Sequence, residues 1–422
     1  MRSLSWAKGL ALLLLLLVLA AVPLFRYLFS QRHADTVNTV NFIDRGTRVL
    51  SGSRDRHLFR WEVNRPLENL YRGWNGVYFT GGGDAGASVR VLRERPLRDS
   101  ERLLVAAGLT NGEIQLWDAA SNAAEPIRRW NRNRNGLFDN VFDLSFSPDT
   151  RYLFSAHGSG FVRQWDLDGF DRPNSLEDPS REIYLKKATY AIADTDGVNG
   201  DRWLLVGGEK NAFWVWNWND RRVFDLSSIF RQKIGESAYF EPIYSKTDYI
   251  TTMAVRQRAL VTADTQGYVR IWDLEAMRGC LQEADRPKSF EKEGAWEYER
   301  DFDYFARNWT CDRPLIRWQG RETHRGRPVR SVALTHQGQC YYLASVGDDG
   351  RVVLWSFEAA LLEPGNAREP EVRTLARLPR TPLNSVDIFA DIDRRSIFVV
   401  SDGEDGRIQL YRRRIAPDAN CQ

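Results

Sequence analysis

The chain of 422 residues is 43% hydrophobic and 27% charged, the balance of a folded globular protein, which excludes an extended disordered one. Its formal net charge of +3 is nearly neutral for this length and argues against a nucleic-acid binder, whose domain would carry a marked basic excess. Five His and four Cys leave little material for transition-metal or thiol-nucleophile constellations.

Residues 1–22 differ from everything after them. No charge occurs between Gly9 and Phe25, Leu12 to Leu17 are consecutive leucines, and Arg2 and Lys8 precede the run. Such a run is at the lower limit for a membrane-spanning helix, which needs about 20 residues. A cleaved signal peptide explains it too, because Ala20 and Ala21 follow an apolar stretch of h-region length. Both readings send the chain to a membrane. The expectation is an N-terminal hydrophobic helix that anchors a single-pass protein through residues 4–25, with the body outside the cytoplasm.

Beyond this segment one eleven-residue frame repeats seven times, at residues 51–61, 107–117, 155–165, 206–216, 262–272, 345–355 and 401–411. In six of the copies the fifth position after the first is Gly112, Gly160, Gly267, Gly350, Gly406 or Asn211, residue types that tolerate positive φ most cheaply. Two positions further on stands an apolar residue (Leu58, Ile114, Val162, Phe213, Val269, Val352, Ile408), and the last is always aromatic. The frame therefore reads as a β-hairpin, with Asn111-Gly112 its strongest turn signal. Seven hairpins of one design predict a repeat fold.

Between one aromatic and the next frame, Pro126-Ile127-Arg128-Arg129-Trp130 and Pro314-Leu315-Ile316-Arg317-Trp318 read as outer strands. The last repeat has no such run after Tyr411, whereas Pro23-Leu24-Phe25-Arg26-Tyr27 has the same character. Residues 23–30 are therefore expected to supply the missing outer strand and close a ring, which removes exposed sheet edges. This organisation gives a segment 1–22, a body 23–414 and a tail 415–422.

The frame, the pairs Trp117-Asp118, Trp165-Asp166 and Trp272-Asp273, and the run 141–146 followed by Ser147-Pro148-Asp149 resemble the WD-repeat β-propeller family. The resemblance implies an all-β, seven-bladed propeller of four-stranded antiparallel blades. It also implies a hydrogen-bonded set of His, Ser or Thr, Asp and Trp inside a blade. His33, Ser51, Asp55 and Trp61 match in full; Ser345, Asp349 and Trp355 match with His324 displaced by an insertion; Ser401 and Asp405 match in the last blade. The other four blades are expected to lack the set and to rely on packing.

The aromatic-to-aromatic interval is 83 residues between Trp272 and Trp355, against 56 or fewer elsewhere, so residues 275–328 hold an insert. Ala295, Phe302, Phe305 and Trp309 fit one face of a helix. That stripe either seals part of the propeller or, with Trp296, Phe302, Phe305 and Trp309, forms a ledge for a partner. Cys280 and Cys311 both lie in the insert, either as unpaired thiols or as a bridge if the body reaches an oxidising compartment.

Three further patterns are set aside. Gly81-Gly82-Gly83-Asp84-Ala85-Gly86 has the spacing of a dinucleotide loop, but strand rather than helix follows it. Residues 194–201 resemble a calcium loop but place Val198 where a ligand is needed and lack the closing Glu. The basic runs 128–134 and 412–414 read as solvated outer strands. No catalytic residue, metal site or cofactor is expected. The function expected is a membrane-tethered scaffold or adaptor for protein partners. The family resemblance places docking on the face bearing the third position of each frame, namely Arg54, Thr110, Gly158, Glu209, Thr265, Asp348 and Glu404. The alternative is an enzyme or small-ligand binder using the central channel.

Overall fold

The computed structural model describes residues 33–63, 77–96, 102–118, 125–131, 139–168, 179–195, 202–219, 222–227, 248–285, 297–299, 304–308 and 315–415 (save 367, 380, 392 and 394), and residue 421. Blade 1 comprises Val37–Ile43, Arg48–Ser53, His57–Val63 and Val77–Asp84; blade 2, Val89–Pro96, Leu103–Leu109, Glu113–Asp118 and Arg128–Asn131. Blade 3 comprises Val141–Phe146, Tyr152–His157, Phe161–Asp166 and Arg181–Tyr184; blade 4, Thr189–Asp194, Trp203–Gly208, Phe213–Asn217 and Arg222–Asp225. Blade 5 comprises Ile250–Arg256, Ala259–Asp264, Val269–Asp273 and Ile316–Gly320; blade 6, Val329–Gln337, Cys340–Gly347, Arg351–Glu358 and Glu371–Arg377. Blade 7 shows Val386–Asp391, Ser396–Asp402 and Ile408–Arg414.

The hairpin reading of the frame holds in every copy. The turn position has positive φ in all seven blades, including Asn211 at 51° and Arg56 at 73°, where no glycine is present. Gly350 shows why the residue is small: a Cβ there would lie 2.1 Å from the carbonyl oxygen of Leu378. The strands behind the turns bury mainly apolar side chains on the faces that meet the neighbouring blade, with isolated polar ones such as Gln115 among them. Trp165, Trp216, Trp272 and Trp355 are among the most deeply buried side chains.

Each inner strand lies beside the next, and the last lies beside the first. Closure is thus made between blades 7 and 1, where Phe398, Val400 and Ile408 pack with Val37, Val40, Phe42 and Trp61. A second device runs round the ring. Side-chain oxygens of Thr39, Asp143, Thr252, Ser331 and Ser385 accept the backbone N–H of Leu92, Ile192, Val332, Val386 and Val40 in the following blade, at 3.0–3.4 Å. Each such bond contributes about 1 kcal/mol and fixes the stagger of adjacent sheets. Val91 and Ala191 occupy the same position in blades 2 and 4, where packing alone serves.

The insert departs from the expected helical stripe. Helix α1, Leu274–Asp285, comes first, and its Met277, Cys280 and Leu281 enter the core shared by blades 4 and 5. Two strands follow, Glu297–Glu299 and Tyr304–Asn308, the second pairing in parallel with the outer strand of blade 4. Phe305 is therefore a strand residue, because the segment reaches back to an open sheet edge instead of forming a free helix. Trp296, Phe302 and Trp309 lie outside the described residues.

Two other expectations change. Cys340 is bridged to Cys421, 81 positions apart, tying the C-terminal tail to blade 6, a pairing the sequence spacing did not suggest. Cys280 is also disulfide-bonded, whereas Cys311 lies outside the described residues. The membrane localisation is corrected: among the described residues no helix is long and apolar enough to cross a membrane. The apolar segment 1–22 and residues 23–30 lie outside the described residues, so no N-terminal helix is part of the described fold.

Candidate functional site

The four-residue set predicted inside the blades is structural, and it is more widespread than the sequence suggested. His33 Nδ1 lies 2.9 Å from Asp55 and its Nε2 2.7 Å from Ser51 Oγ, which also accepts the Trp61 indole N–H at 2.7 Å. Blade 6 repeats it with His324 Nδ1 3.0 Å from Asp349, Nε2 2.8 Å from Ser345, and Trp355 donating to Ser345 at 2.8 Å. The insertion before His324 therefore does not displace it; a short 3-10 turn at Glu322–His324 carries the ring back to its place.

Blade 3 holds a transposed version. His157 comes from the second strand and Asp139 from the loop before the first, with His157 Nε2 2.8 Å from Ser155 and Trp165 donating to Ser155 at 2.8 Å. The sequence frame missed it because acid and imidazole have exchanged positions. Burial lowers the His157 pKa, and the ring bonds to keep its place rather than to move protons. Against the upward push of burial, hydrogen bonds from His157 and Ser159 hold Asp139 below its ordinary value. In blade 5, Thr262 accepts the Trp272 indole at 2.9 Å and Asp264 pairs with buried Arg270 at 2.6 Å. Where the hydroxyl position is Ala107 or Val206, the indoles of Trp117 and Trp216 find no acceptor among the described residues.

The face picked out by the third frame position is a real geometric ring. The backbone N–H of Arg54, Thr110, Gly158, Glu209, Thr265, Asp348 and Glu404 donates to the carbonyl of Thr36, Ser88, Asn140, Ala188, Tyr249, Pro328 and Pro382 respectively, at 2.9–3.3 Å. One bond of one kind thus places these seven frame positions at the same height. Five of them, Arg54, Thr110, Thr265, Asp348 and Glu404, line the upper mouth of the central channel, a cavity of about 850 Å³. Gly158 and Glu209 are not in its wall; at Gly158 the Phe142 ring occupies the space a Cβ would take.

A second, inner ring was not read from the sequence. Two residues after each accepting carbonyl stand Asn38, Arg90, Phe142, Tyr190, Thr251, Arg330 and Asn384, and all seven line the same cavity. In the first six blades this residue falls at a β-bulge, where the extra residue turns its side chain out of the blade. Asn38, Thr251 and Asn384 donate to the carbonyls of Val89, Val329 and Val37 in the next blade. Arg330 bonds Asp348 and lies 3.6 Å from Glu404. The Arg90 guanidinium lies over Phe142 at 4.9 Å, and Phe142, Tyr190 and Tyr249 form a continuous aromatic ridge with centroid separations of 4.8 and 4.2 Å.

The channel continues to a lower mouth of about 280 Å³, and Arg93, Thr252, Ser331 and Ser385 border both parts. Arg93 pairs with Asp143 at 2.5 Å at this waist. Below it, burial pushes Glu94 up to about 8 and Asp387 up to about 6, each reinforced or offset by neighbours. Asp387 accepts the backbone N–H of Phe42 at 2.6 Å and of Ile388 at 2.8 Å, so it links blade 7 to blade 1. Among the described residues no group of three or more His, Cys, Asp or Glu is placed to hold a metal ion. Gly81, Gly82 and Gly83 lie in the outer strand of blade 1, paired with Arg60, Phe59 and Leu58, which leaves no helix N-terminus for a pyrophosphate.

The family model for the WD domain, G-beta repeat, matches residues 25–62, 132–166 and 318–356. The chain is 25% identical over 147 residues to the Protein LST8 homolog of Drosophila melanogaster, covering 35% of this chain and 41% of that protein. It is 26% identical over 141 residues to Pre-mRNA-processing factor 17 of Homo sapiens and of Mus musculus, covering 32% of this chain and 21% of each. It therefore spans less than half the length of these relatives. Three matched repeats, seven blades and the blade-internal His, Ser, Asp and Trp sets lead to one assignment: the chain belongs to the WD-repeat β-propeller family.

Proposed function

We propose that this protein is a non-enzymatic scaffold or adaptor that docks protein partners on the upper mouth of its channel, within a multiprotein assembly. The observation that carries the reading is the pair of concentric rings there. Twelve wall positions, drawn from two sets of structurally equivalent sites, differ freely in charge and size while the backbone beneath them is constant. That separation of a rigid support from variable side chains is what specific recognition requires. The wall is predominantly polar, with both charge signs, and suits a mixed protein surface better than a greasy small molecule. Nothing in this reading depends on a membrane.

The test is affinity capture with the full chain, comparing wild type with a variant carrying Thr110→Arg and Thr265→Arg at the upper mouth and with a control carrying Arg368→Glu, far out on blade 6. Stable partners should be captured by wild type and control and lost from the upper-mouth variant. Equal capture by all three, or no stable partner together with turnover of a small substrate, would defeat the reading.

A further inference from the structure

We infer that Arg90 anchors a single carboxylate, an Asp or Glu side chain on a segment of a partner protein that enters the upper mouth; the inference rests on the docking face proposed above. The starting observation is a difference among the arginines of this mouth. Arg330 is committed to Asp348 and Glu404, and Arg93 is committed to Asp143. Arg54 lies 3.9 Å from Asp35 at an open position. Arg90 has no carboxylate partner among the described residues; its contact is the face of Phe142.

The surroundings make this an unusual place to leave a cation. Arg90 is open to the cavity, but the walls displace enough water to lower its pKa, and the like charge of Arg330 lowers it further. A guanidinium held over an aromatic ring keeps its in-plane N–H groups free, the arrangement in which it can clamp a carboxylate through two parallel hydrogen bonds. Beside it the Phe142, Tyr190 and Tyr249 ridge offers a stacking surface for whatever side chain neighbours the acid.

Charge selects the kind of anion. On the opposite side one guanidinium, Arg330, faces two carboxylates, Asp348 and Glu404, so that side carries a negative surplus. A compact dianion placed at Arg90 would feel that surplus; a singly charged carboxylate, delivered on a polypeptide whose remaining groups are neutral or basic, matches both sides. The mouth is thus bipolar, and it reads an acidic residue at Arg90 with a neutral or basic one across the channel.

The experiment uses the full chain to select binders from a displayed random-peptide library. The best peptide is then titrated calorimetrically, as the acid and as its amide counterpart, against wild type, Arg90→Gln and Arg90→Lys, with inorganic phosphate as competitor. Thermal unfolding of both variants establishes that they fold. The expected result is an acidic position shared by the selected peptides, whose conversion to amide weakens binding on the order of tenfold in wild type and by less than about twofold in Arg90→Gln. Arg90→Lys, which keeps the charge without the planar fork, should fall between them. Selection without an acidic position, an equal loss in wild type and Arg90→Gln, or phosphate competing while acid and amide bind alike would each overturn the anchor. If capture of partners depends on Thr110 and Thr265 but ignores Arg90→Gln, the anchor alone fails and the docking face stands.

Discussion

Glu94 at the lower mouth gives the most direct physical test of the channel. Burial raises its pKa from 4.5 to about 8, with the charges of Asp387 and Asp44 adding to the rise and Arg95 opposing it. The folded state therefore prefers the neutral acid. The favourable contribution is fully present below the unfolded value near 4.5 and is lost as pH climbs through the folded value near 8. At about 1.4 kcal/mol per pH unit the full displacement would be worth about 5 kcal/mol. Glu94 is only half-buried and borders channel water, so screening reduces this to about 1–3 kcal/mol. Glu94→Gln keeps the shape and is neutral at every pH. Urea unfolding followed by tryptophan fluorescence should find variant and wild type equal near pH 4.5. The variant should become progressively more stable towards pH 8 and above, by about 1–3 kcal/mol. Asp387, raised to about 6 by its own burial, loses its proton while Glu94 is still neutral, so its titration should be little changed in the variant. A stability difference that is independent of pH, or a variant less stable at the alkaline end, would refute the argument.

Four other outcomes follow from the packing. Ser345→Ala leaves both the Trp355 indole and His324 without their shared partner and should cost about 2–3 kcal/mol in chemical denaturation, against about 1 kcal/mol for Thr262→Val, where Trp272 alone loses its acceptor. Arg56→Gly replaces a side chain held at φ 73° and should stabilise by about 1 kcal/mol in the same assay. Cys421→Ser opens a loop closed across 81 positions and should lower stability by about 2–4 kcal/mol, a difference that vanishes when wild type is melted in reductant. Deleting residues 23–30 tests the proposal that they complete blade 7. His33 and Asp35 already run beside Gly406 at the blade 7 turn, so an equally stable truncated protein would sink the proposal.

How much of this was legible in the sequence depends on what kind of spacing carries it. The hairpin frame could be read because its turn, its apolar position and its terminal aromatic are fixed by one local geometry, and a positive φ at Arg56 shows that the geometry persists even where the glycine does not. The third-position ring could be read for the same reason, since a residue directly after the hydroxyl-bearing strand, or two after it in blade 7, cannot leave its height. His157 escaped because the blade 3 set is satisfied by exchanged residues, which a positional template scores as a loss although the hydrogen bonds are kept. The insert escaped for a different reason. Its aromatic spacing is compatible with helix, but an open sheet edge on blade 4 offers backbone pairing that no local pattern records.

The inner ring is the most consequential omission, and its cause is physical. Each of its members precedes the frame by a stretch containing a loop between the first and second strands, and that loop differs in length from blade to blade. A constant-spacing comparison therefore cannot align Arg90 with Phe142 or Tyr190, although the fold sets all three on equivalent bulges around one opening. The signal that does align them is relative to the core: each follows a buried residue, such as Val89, Val141 or Thr189, and in the first six blades it interrupts the strand register at that point. The same interruption frees the side chain from blade packing, so the positions least constrained by the fold are the ones that face the channel. If partners dock at the upper mouth as proposed, specificity lies where the repeat loses its period, and Arg90, which has no carboxylate partner among the described residues, is the place to look for it first.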